Sequence, residues 1–307
     1  MGSGELVCDG IVKRFSNGKV ALSSVSFATP TSGIFTLIGR NGAGKTTLTR
    51  ILATLLEPNS GRASINGLDV MSDANELRHR IAVVPQEGRT VSWMTPRQTI
   101  SSYLMWRGVG YSESMKLADV AIRRVGIDAY GMKMNSTLSG GIKRKVLVAM
   151  ALASDADIIF LDEPTTGLDP ISRKQLWNVL TDLGKERFVF LTTHYLEEAE
   201  AVSDRIGILN DGRLLSIGTT QELRSRLKYR YALRIPGTGV DLPPFEGEKF
   251  TRRDGETQVM TTEEDAAKLS RELVNRKVAF SMNPVDLDDI FYYIVTEDER
   301  SKEARPL

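Results

Sequence analysis

Apolar and polar positions alternate over residues 6–13 and 20–28, which is the period of a strand with one buried face. Asn17-Gly18 stands between them and predicts a turn. The short apolar run over residues 34–38 predicts a further strand, which ends at Gly39. Beyond it, leucine and isoleucine recur at helical spacing up to Pro58, where we expect the helix to end. The N-terminal part therefore contains a strand, a glycine-rich turn and a helix, in that order.

The middle of the chain combines helices with a few buried strands. Residues 87–154 predict mostly helices, with polar faces and little clustering of β-branched residues. Strand character returns in three apolar runs, at residues 158–161, 188–191 and 206–209, and Asp211-Gly212 then predicts a hairpin. Strands separated by helical stretches predict a mainly parallel sheet with right-handed crossovers.

A change of pattern near residue 229 predicts a second, smaller unit. Strands are expected at residues 229–235 and 278–282, and Asp254-Gly255 predicts a turn between two short strands. Thr262 can cap a helix that continues through Leu273, and a last short helix follows.

These patterns divide the chain into a main domain over residues 1–226 and an accessory α+β domain over residues 227–307. The main domain includes a helical subdomain over about residues 87–154. The accessory domain either only stabilises the main domain or has a regulatory or dimerising role.

Composition and charge narrow the possible functions. The chain has 307 residues, with 40 Lys and Arg against 39 Asp and Glu, so its formal charge of +1 gives no overall attraction to nucleic acid. The single cysteine, Cys8, fits a reducing compartment. No run approaches the roughly 20 apolar residues that cross a bilayer, and the N-terminus MGSGELVCDG lacks a secretion signal. We therefore expect a cytoplasmic protein whose membrane role requires a partner.

Residues 39–46 match the phosphate-loop pattern of two glycines followed by lysine and threonine. Such glycines let backbone N–H groups converge on phosphate oxygens at a helix N-terminus. Lys45 can reach the β- and γ-phosphates, and the Thr46 hydroxyl can bind Mg²⁺. The predicted ATP-binding residues of this loop are Gly39, Asn41, Gly42, Ala43, Gly44, Lys45, Thr46 and Thr47.

Two acids follow the apolar strand at residues 158–161. A buried strand has no use for two carboxylates at its end unless they meet a cation or a reacting water. We expect Asp162 to hold Mg²⁺ and Glu163 to polarise the water that attacks the γ-phosphate.

With Leu138-Ser139-Gly140-Gly141 at the start of an apolar-faced helix, residues 5–225 resemble an ABC ATPase cassette. The resemblance implies an α/β P-loop (RecA-like) fold: a parallel-sheet core with an antiparallel β subdomain and a helical subdomain. In this family the helix N-terminus meets the γ-phosphate bound by the opposite protomer, so Ser139 and Gly141 are expected to contact ATP there. Ile142 stands where the family often has glutamine, which removes one polar side chain from the dimer seam.

The resemblance also assigns roles to four other positions. Gln86 matches the glutamine that touches Mg²⁺, and Asp169 matches a loop that crosses the dimer interface. His194 matches the histidine that contacts the γ-phosphate and orients the attacking water. Phe15 stands where an aromatic ring stacks on adenine, although an aromatic residue on an N-terminal strand can also belong to the core.

The implied function is that of an energy-coupling subunit. Two protomers would close head-to-tail around two Mg-ATP molecules and drive a separately encoded integral membrane permease. Residues 287–291 at the end of the accessory domain resemble the tail of the ABC-2 exporter group, which implies outward transport. The alternative is a soluble ABC ATPase that acts on DNA or ribosomes, but the long coiled coil or second cassette typical of those relatives is absent. A cassette that binds ATP without cleaving it should lack Glu163 or His194.

Trp93 and Met94 place two large apolar side chains in a stretch otherwise rich in polar residues. They either fill the core of the helical subdomain or line a groove that receives a short cytoplasmic helix of the permease.

Overall fold

The computed structural model describes residues 4–252 and 255–303, without the side chain of Glu303. This part divides into two compact units, one that ends at Ile217 and one that begins at Gly218. The boundary thus lies before the expected one after residue 226. The reason is a helix at Thr220–Ser225, which packs against the C-terminal helix of the second unit.

The first unit contains ten strands and seven α-helices within its described residues. Its strands are β1 (Glu5–Arg14), β2 (Val20–Pro30), β3 (Ile34–Ile38), β4 (Ser60–Ile65), β5 (Leu68–Asp69), β6 (Ile81–Val84), β7 (Ile158–Asp162), β8 (Phe188–Thr193), β9 (Arg205–Asn210) and β10 (Arg213–Gly218). Its helices are α1 (Lys45–Leu52), α2 (Ala74–Arg80), α3 (Pro96–Trp106), α4 (Tyr111–Arg124), α5 (Gly140–Ala153), α6 (Pro170–Glu186) and α7 (Leu196–Val202).

Two sheets organise this unit. Strands β2, β1, β4 and β5 form an antiparallel sheet in that order. The second sheet has the order β10-β9-β3-β8-β7-β6, and all its pairings from β9 to β6 are parallel. Because parallel strands end at the same edge, this order brings the residues after β3, β7 and β8 together. The expected α/β fold with a parallel core and an antiparallel subdomain is confirmed.

Helix α1 lies in the apolar layer between the two sheets, where Phe27, Phe35 and Phe190 stack with ring centroids 5.5 and 5.3 Å apart. Helices α3, α4, α5 and α6 contribute to a second cluster on the other face of the parallel sheet. Burial of both faces explains why β3, β7 and β8 read as continuous apolar runs rather than alternating ones.

Two expected element boundaries are wrong. Helix α1 ends at Leu52 rather than near Pro58, because Thr54 takes the left-handed conformation with φ 62°. In the second unit, the strand expected at residues 278–282 begins only at Ser281. The residues before it close the preceding helix: Lys277 has φ 55°, and the Val278 N–H donates to the Leu273 carbonyl at 2.9 Å.

The second unit is an α+β fold. Its elements are α8 (Thr220–Ser225), β11 (Tyr231–Pro236), β12 (Gly247–Thr251), β13 (Glu256–Thr261), α9 (Glu263–Asn275), β14 (Ser281–Pro284) and α10 (Leu287–Glu303). The strands form an antiparallel sheet in the order β12-β13-β11-β14. Thr262 caps α9 as expected, since its side chain accepts from the Asp265 N–H. The last helix is longer than expected, and Asp254 of the expected turn lies outside the described residues.

Candidate active site

The phosphate-loop pattern occupies the turn between β3 and α1, and its glycines touch the backbone of two neighbouring strands. A Cβ atom on Gly44, whose φ is 109°, would lie 2.4 Å from the carbonyl oxygen of Ala21 in β2. A Cβ on Gly39 would lie 2.3 Å from the carbonyl oxygen of Leu209 in β9. Only glycine fits such contacts, so the loop is held closely between these strands and its N–H groups stand at the start of α1.

Lys45, the first residue of α1, is buried with its amine in a polar nest. Its Nζ donates to the Gly39 carbonyl at 2.7 Å and to the Arg40 carbonyl at 3.3 Å. The same atom lies 3.7 Å from Oε1 of Glu163. Burial lowers the pKa of the Lys45 amine, and the carboxylates of Glu163 and Asp162 oppose that shift. The amine is therefore positioned beside the loop before any phosphate arrives.

The acid pair stands at the end of β7, the strand next to β8 in the sheet. Asp162 and Glu163 are only 2% and 6% exposed. The Thr192 hydroxyl donates to Oδ1 of Asp162, and the Glu163 N–H donates to the Thr192 carbonyl at 3.0 Å. Glu163 has φ 51°, a left-handed conformation that glutamate seldom adopts. This backbone turn re-aims the Glu163 side chain relative to the strand that carries it.

Four side chains surround the Glu163 carboxylate. Its Oε2 accepts from Nε2 of Gln86 at 3.2 Å and from the Thr166 hydroxyl at 3.1 Å. Its Oε1 lies 3.2 Å from Nδ1 of His194, and Lys45 approaches the same oxygen. These partners follow four different elements of the chain, β6, β7, β8 and the phosphate loop. The fold thus brings four of the predicted catalytic positions into one cluster.

An open cavity lies beside this cluster. Its lining combines loop backbone, polar side chains and one aromatic ring: Phe15, Lys19, Ala21, Asn41, Gly42, Gly44, Lys45, Thr46, Thr47, Gln86 and Glu163. Phe15 is 38% exposed, so it does not belong to the core. Gly39 and Ala43 are buried residues of the loop itself, and Asp162 and His194 stand next to Glu163.

Besides Gly39, Ala43, Asp162 and His194, three further predicted residues do not line this cavity. Ser139 is the exposed cap of α5, and its Oγ accepts from the Ile142 N–H at 3.3 Å. Gly141 faces the segment before Asp169, since a Cβ there would lie 3.1 Å from Leu168. Asp169 caps α6 through the Ser172 and Ile171 N–H groups, and hydrogen bonds with Ser172 lower the pKa of its carboxyl.

Thr166 and Thr192 contact the acid pair, and sequence reasoning missed both. Thr192 lies in a strand that reads as apolar, so a hydroxyl near its end was the available signal. Thr166 follows the acid pair by three residues, but only the fold shows that its hydroxyl turns back to Glu163.

Comparisons with known proteins agree with this geometry. Residues 22–166 match the family model described as ABC transporter. The chain is 31% identical to the daunorubicin resistance ATP-binding protein DrrA3 of Streptomyces coeruleorubidus, over 97% of this chain and 98% of that protein. The chain belongs to the ABC transporter family. It is an ABC ATPase, and the predicted membership is confirmed.

Two further matches show how far the likeness extends. ABC transporter A family member 8 of Arabidopsis thaliana is 35% identical over 75% of this ABC ATPase, which spans about a quarter of that relative (26%). The solved structure of the ATP-binding cassette MJ0796 bound to ADP and Pi aligns with a TM-score of 0.65 at 22% identity. It covers 70% of this chain and 98% of that one, and at this identity it shows the shared fold.

Proposed function

We propose that two copies of this ABC ATPase close head-to-tail around two Mg-ATP molecules and drive a separate membrane permease, in the direction of export. The observation that carries the proposal is the separation of two half-sites on one chain. The phosphate loop and Glu163 line one cavity, whereas Ser139, Gly141 and Asp169 lie outside it.

Within one site, we assign Glu163 as the general base. Its carboxylate is held by Gln86 and Thr166 on one oxygen and stands beside His194 on the other. A water between this carboxylate and the γ-phosphate would give its proton to Glu163 as its oxygen bonds to the γ-phosphorus, while the bond from that phosphorus to ADP breaks and ADP leaves. His194 would orient the water and contact the phosphate. Lys45 would exchange its loop carbonyls for phosphate oxygens, and Phe15 would stack on adenine.

The residues around the cavity suit a magnesium ion. Thr46, Asp162 and Gln86 offer a hydroxyl, a carboxylate and an amide oxygen, the hard oxygen donors that Mg²⁺ prefers. When bound with ATP, the ion would neutralise charge on the phosphates.

The N-terminus of α5 suits a role across a dimer. The N-terminus of α5 starts with Ser139, Gly140 and Gly141, and a Cβ at Gly140 would meet nothing within 4 Å. Such an open helix N-terminus can accept a phosphate from a second molecule. Two bound triphosphates would then bridge surfaces that otherwise attract each other weakly.

Coupling to a permease rests on exposed apolar side chains in the helical part and on the relatives. Trp93 is 76% exposed, so the core interpretation of this residue is wrong, while Met94 is half-buried. The Ser136 N–H donates to the Ser92 carbonyl at 3.0 Å, so the backbone segment that carries the exposed Met134 lies beside the one that carries Trp93. No helix in the two described ranges could span a bilayer. We infer the direction of export from the Streptomyces relative, which is named as a daunorubicin resistance protein.

The dimer is tested by sedimentation of the Glu163→Gln protein, which should bind ATP without consuming it. We expect a dimer with Mg-ATP and a monomer without nucleotide. Ser139→Arg in that background should abolish the dimer and keep ATP binding, because a bulky side chain would block the helix N-terminus. Ser112→Arg, at an exposed serine in the first turn of α4, is the control and should dimerise normally. A dimer that forms without ATP, or despite Ser139→Arg, contradicts the proposal.

A further inference from the structure

Arg144 is a buried cation of α5 to which the proposed function gives no role. It follows the cap residue Ser139 by five positions and is only 7% exposed. A buried guanidinium is costly unless its donors are paired, so its partners indicate what it does.

All five N–H donors of this side chain pair with backbone carbonyl oxygens. Nη1 donates to the carbonyls of Pro85 at 2.7 Å and Gln86 at 3.2 Å. Nη2 donates to those of Asp162 and, at 2.9 Å, Glu163. Nε donates to the Pro164 carbonyl at 3.2 Å. One side chain of α5 therefore binds both the segment that follows β6 and the segment at the end of β7.

These carbonyls belong to the backbone that aims the candidate catalytic groups. Glu163 keeps an unfavourable left-handed conformation, with φ 51°, which costs free energy and persists only where surrounding contacts enforce it. Arg144 contacts the carbonyls of Glu163 and of both its neighbours. It also compensates the repulsion among five carbonyl dipoles that point at one position.

We propose that Arg144 is a positioning residue: it aims the Glu163 carboxylate and ties that aim to the placement of α5. Movement of the helix that carries Ser139 would then change the orientation of the Glu163 carboxylate and of Gln86. The inference rests on the proposed role of Glu163 as general base.

Arginine is required here for its geometry as well as its charge. A lysine amine has three donors on a flexible stem and cannot bridge two backbone segments in a planar fork. Arg144→Lys therefore keeps the charge and removes the bridge, whereas Arg144→Gln removes both.

Arg107, at the end of α3, offers a matched control because it also donates to backbone carbonyls near β6. Its guanidinium donates to the carbonyls of Ile81 at 3.0 Å and His79 at 2.8 Å, at the opposite end of β6 from Pro85. Its side chain is 12% exposed and also pairs with Asp155. Arg107→Gln loses comparable hydrogen bonds without touching the backbone of Gln86 or Glu163.

The test measures kcat, KM and nucleotide affinity of the full chain, together with its melting temperature. We expect Arg144→Lys and Arg144→Gln to lower kcat about 10- to 100-fold, since misplacement of a reacting group by about 1 Å can cost 10²-fold. KM and nucleotide affinity should stay within about threefold, because the phosphate loop is not altered. Arg107→Gln should lower the melting temperature about as much and leave kcat nearly unchanged.

A kcat near that of the unmodified chain in folded Arg144→Lys and Arg144→Gln would overturn the proposal. So would failure of both to fold while Arg107→Gln folds, which would make Arg144 structural.

A double-mutant cycle separates this inference from the proposed function. If Arg144 acts through Glu163, Arg144→Lys should have little further effect on turnover in the Glu163→Gln background. If Glu163→Gln itself hydrolyses ATP normally, the proposed base is wrong. If Glu163→Gln is inactive but Arg144→Lys is not impaired, only the role of Arg144 is wrong.

Discussion

The first and the second unit each contain carboxylates grouped around a cation, but the two clusters differ in what can reach them. In the first unit, Lys45 and Glu163 line an open cavity. In the second, Arg234 of β11 lies among three acids at the start of α10. Its Nη2 is 2.8 Å from Asp286, 2.9 Å from Asp289 and 3.8 Å from Asp288.

The second cluster is closed by its own partners. Asp289 is fully buried, and it accepts from Arg234 and, at 2.6 Å, from Nε2 of Gln258. Burial raises the pKa of Asp289 to about 6, although the hydrogen bond from Arg234 acts to lower it. The carboxylates of Asp286, Asp288 and Asp289 are close enough to hold a metal ion, but a guanidinium occupies their centre. Grouped acids thus indicate chemistry only where a ligand can reach them, as at Glu163.

The largest expected effect is at Glu163, the proposed general base of the open cluster. Glu163→Gln should lower ATP turnover roughly 10²- to 10⁴-fold, because the amide cannot accept the proton of the attacking water. ATP binding should be kept, since the phosphate loop is intact. Steady-state phosphate release and nucleotide binding are measured on the same protein. Asp289→Asn is the control from the closed cluster and should leave turnover unchanged; near-normal hydrolysis by Glu163→Gln would remove this residue from the catalytic role.

The closed cluster should respond in stability rather than in activity. Arg234→Gln leaves the buried Asp289 without its cation, which should lower the free energy of unfolding of the second unit by about 2–4 kcal/mol. Hydrogen exchange of α10 amides reports that unit, and ATP affinity is measured alongside. Lys268→Gln removes an exposed lysine that pairs with Glu264 and Asp265 on α9 and should change neither. A loss of ATP affinity in Arg234→Gln would show that the cluster is not merely structural.

The smallest effect on the isolated chain is expected at Trp93. Because this side chain is 76% exposed, Trp93→Ala should leave the melting temperature and the ATPase of the isolated subunit nearly unchanged. Co-purification with the permease from native membranes should weaken. Trp106, which is 85% exposed at the end of α3, gives a matched control, and Trp106→Ala should co-purify normally. If the two variants behave alike, the docking surface is not at Trp93.

The sequence predicts the phosphate loop and the acid pair because their signals are local. A glycine-rich turn between a strand and a helix can be recognised from a few consecutive residues, and so can an acid pair after an apolar run. The end of α1 was missed because it depends on the left-handed backbone of Thr54, a β-branched residue that gives no such signal. The five carbonyls bound by Arg144 were equally hidden, since they come from segments 18 to 59 positions away.

The way the phosphate loop is held also bears on how much the surrounding sequence can change. Gly44 and Gly39 lie against the carbonyl oxygens of Ala21 and Leu209, atoms that every amino acid supplies. Side chains at positions 21 and 209 can therefore be exchanged for others of suitable size without altering what the loop touches. Only the glycines have no substitute. A loop built against main chain can therefore tolerate extensive sequence drift in the strands that hold it.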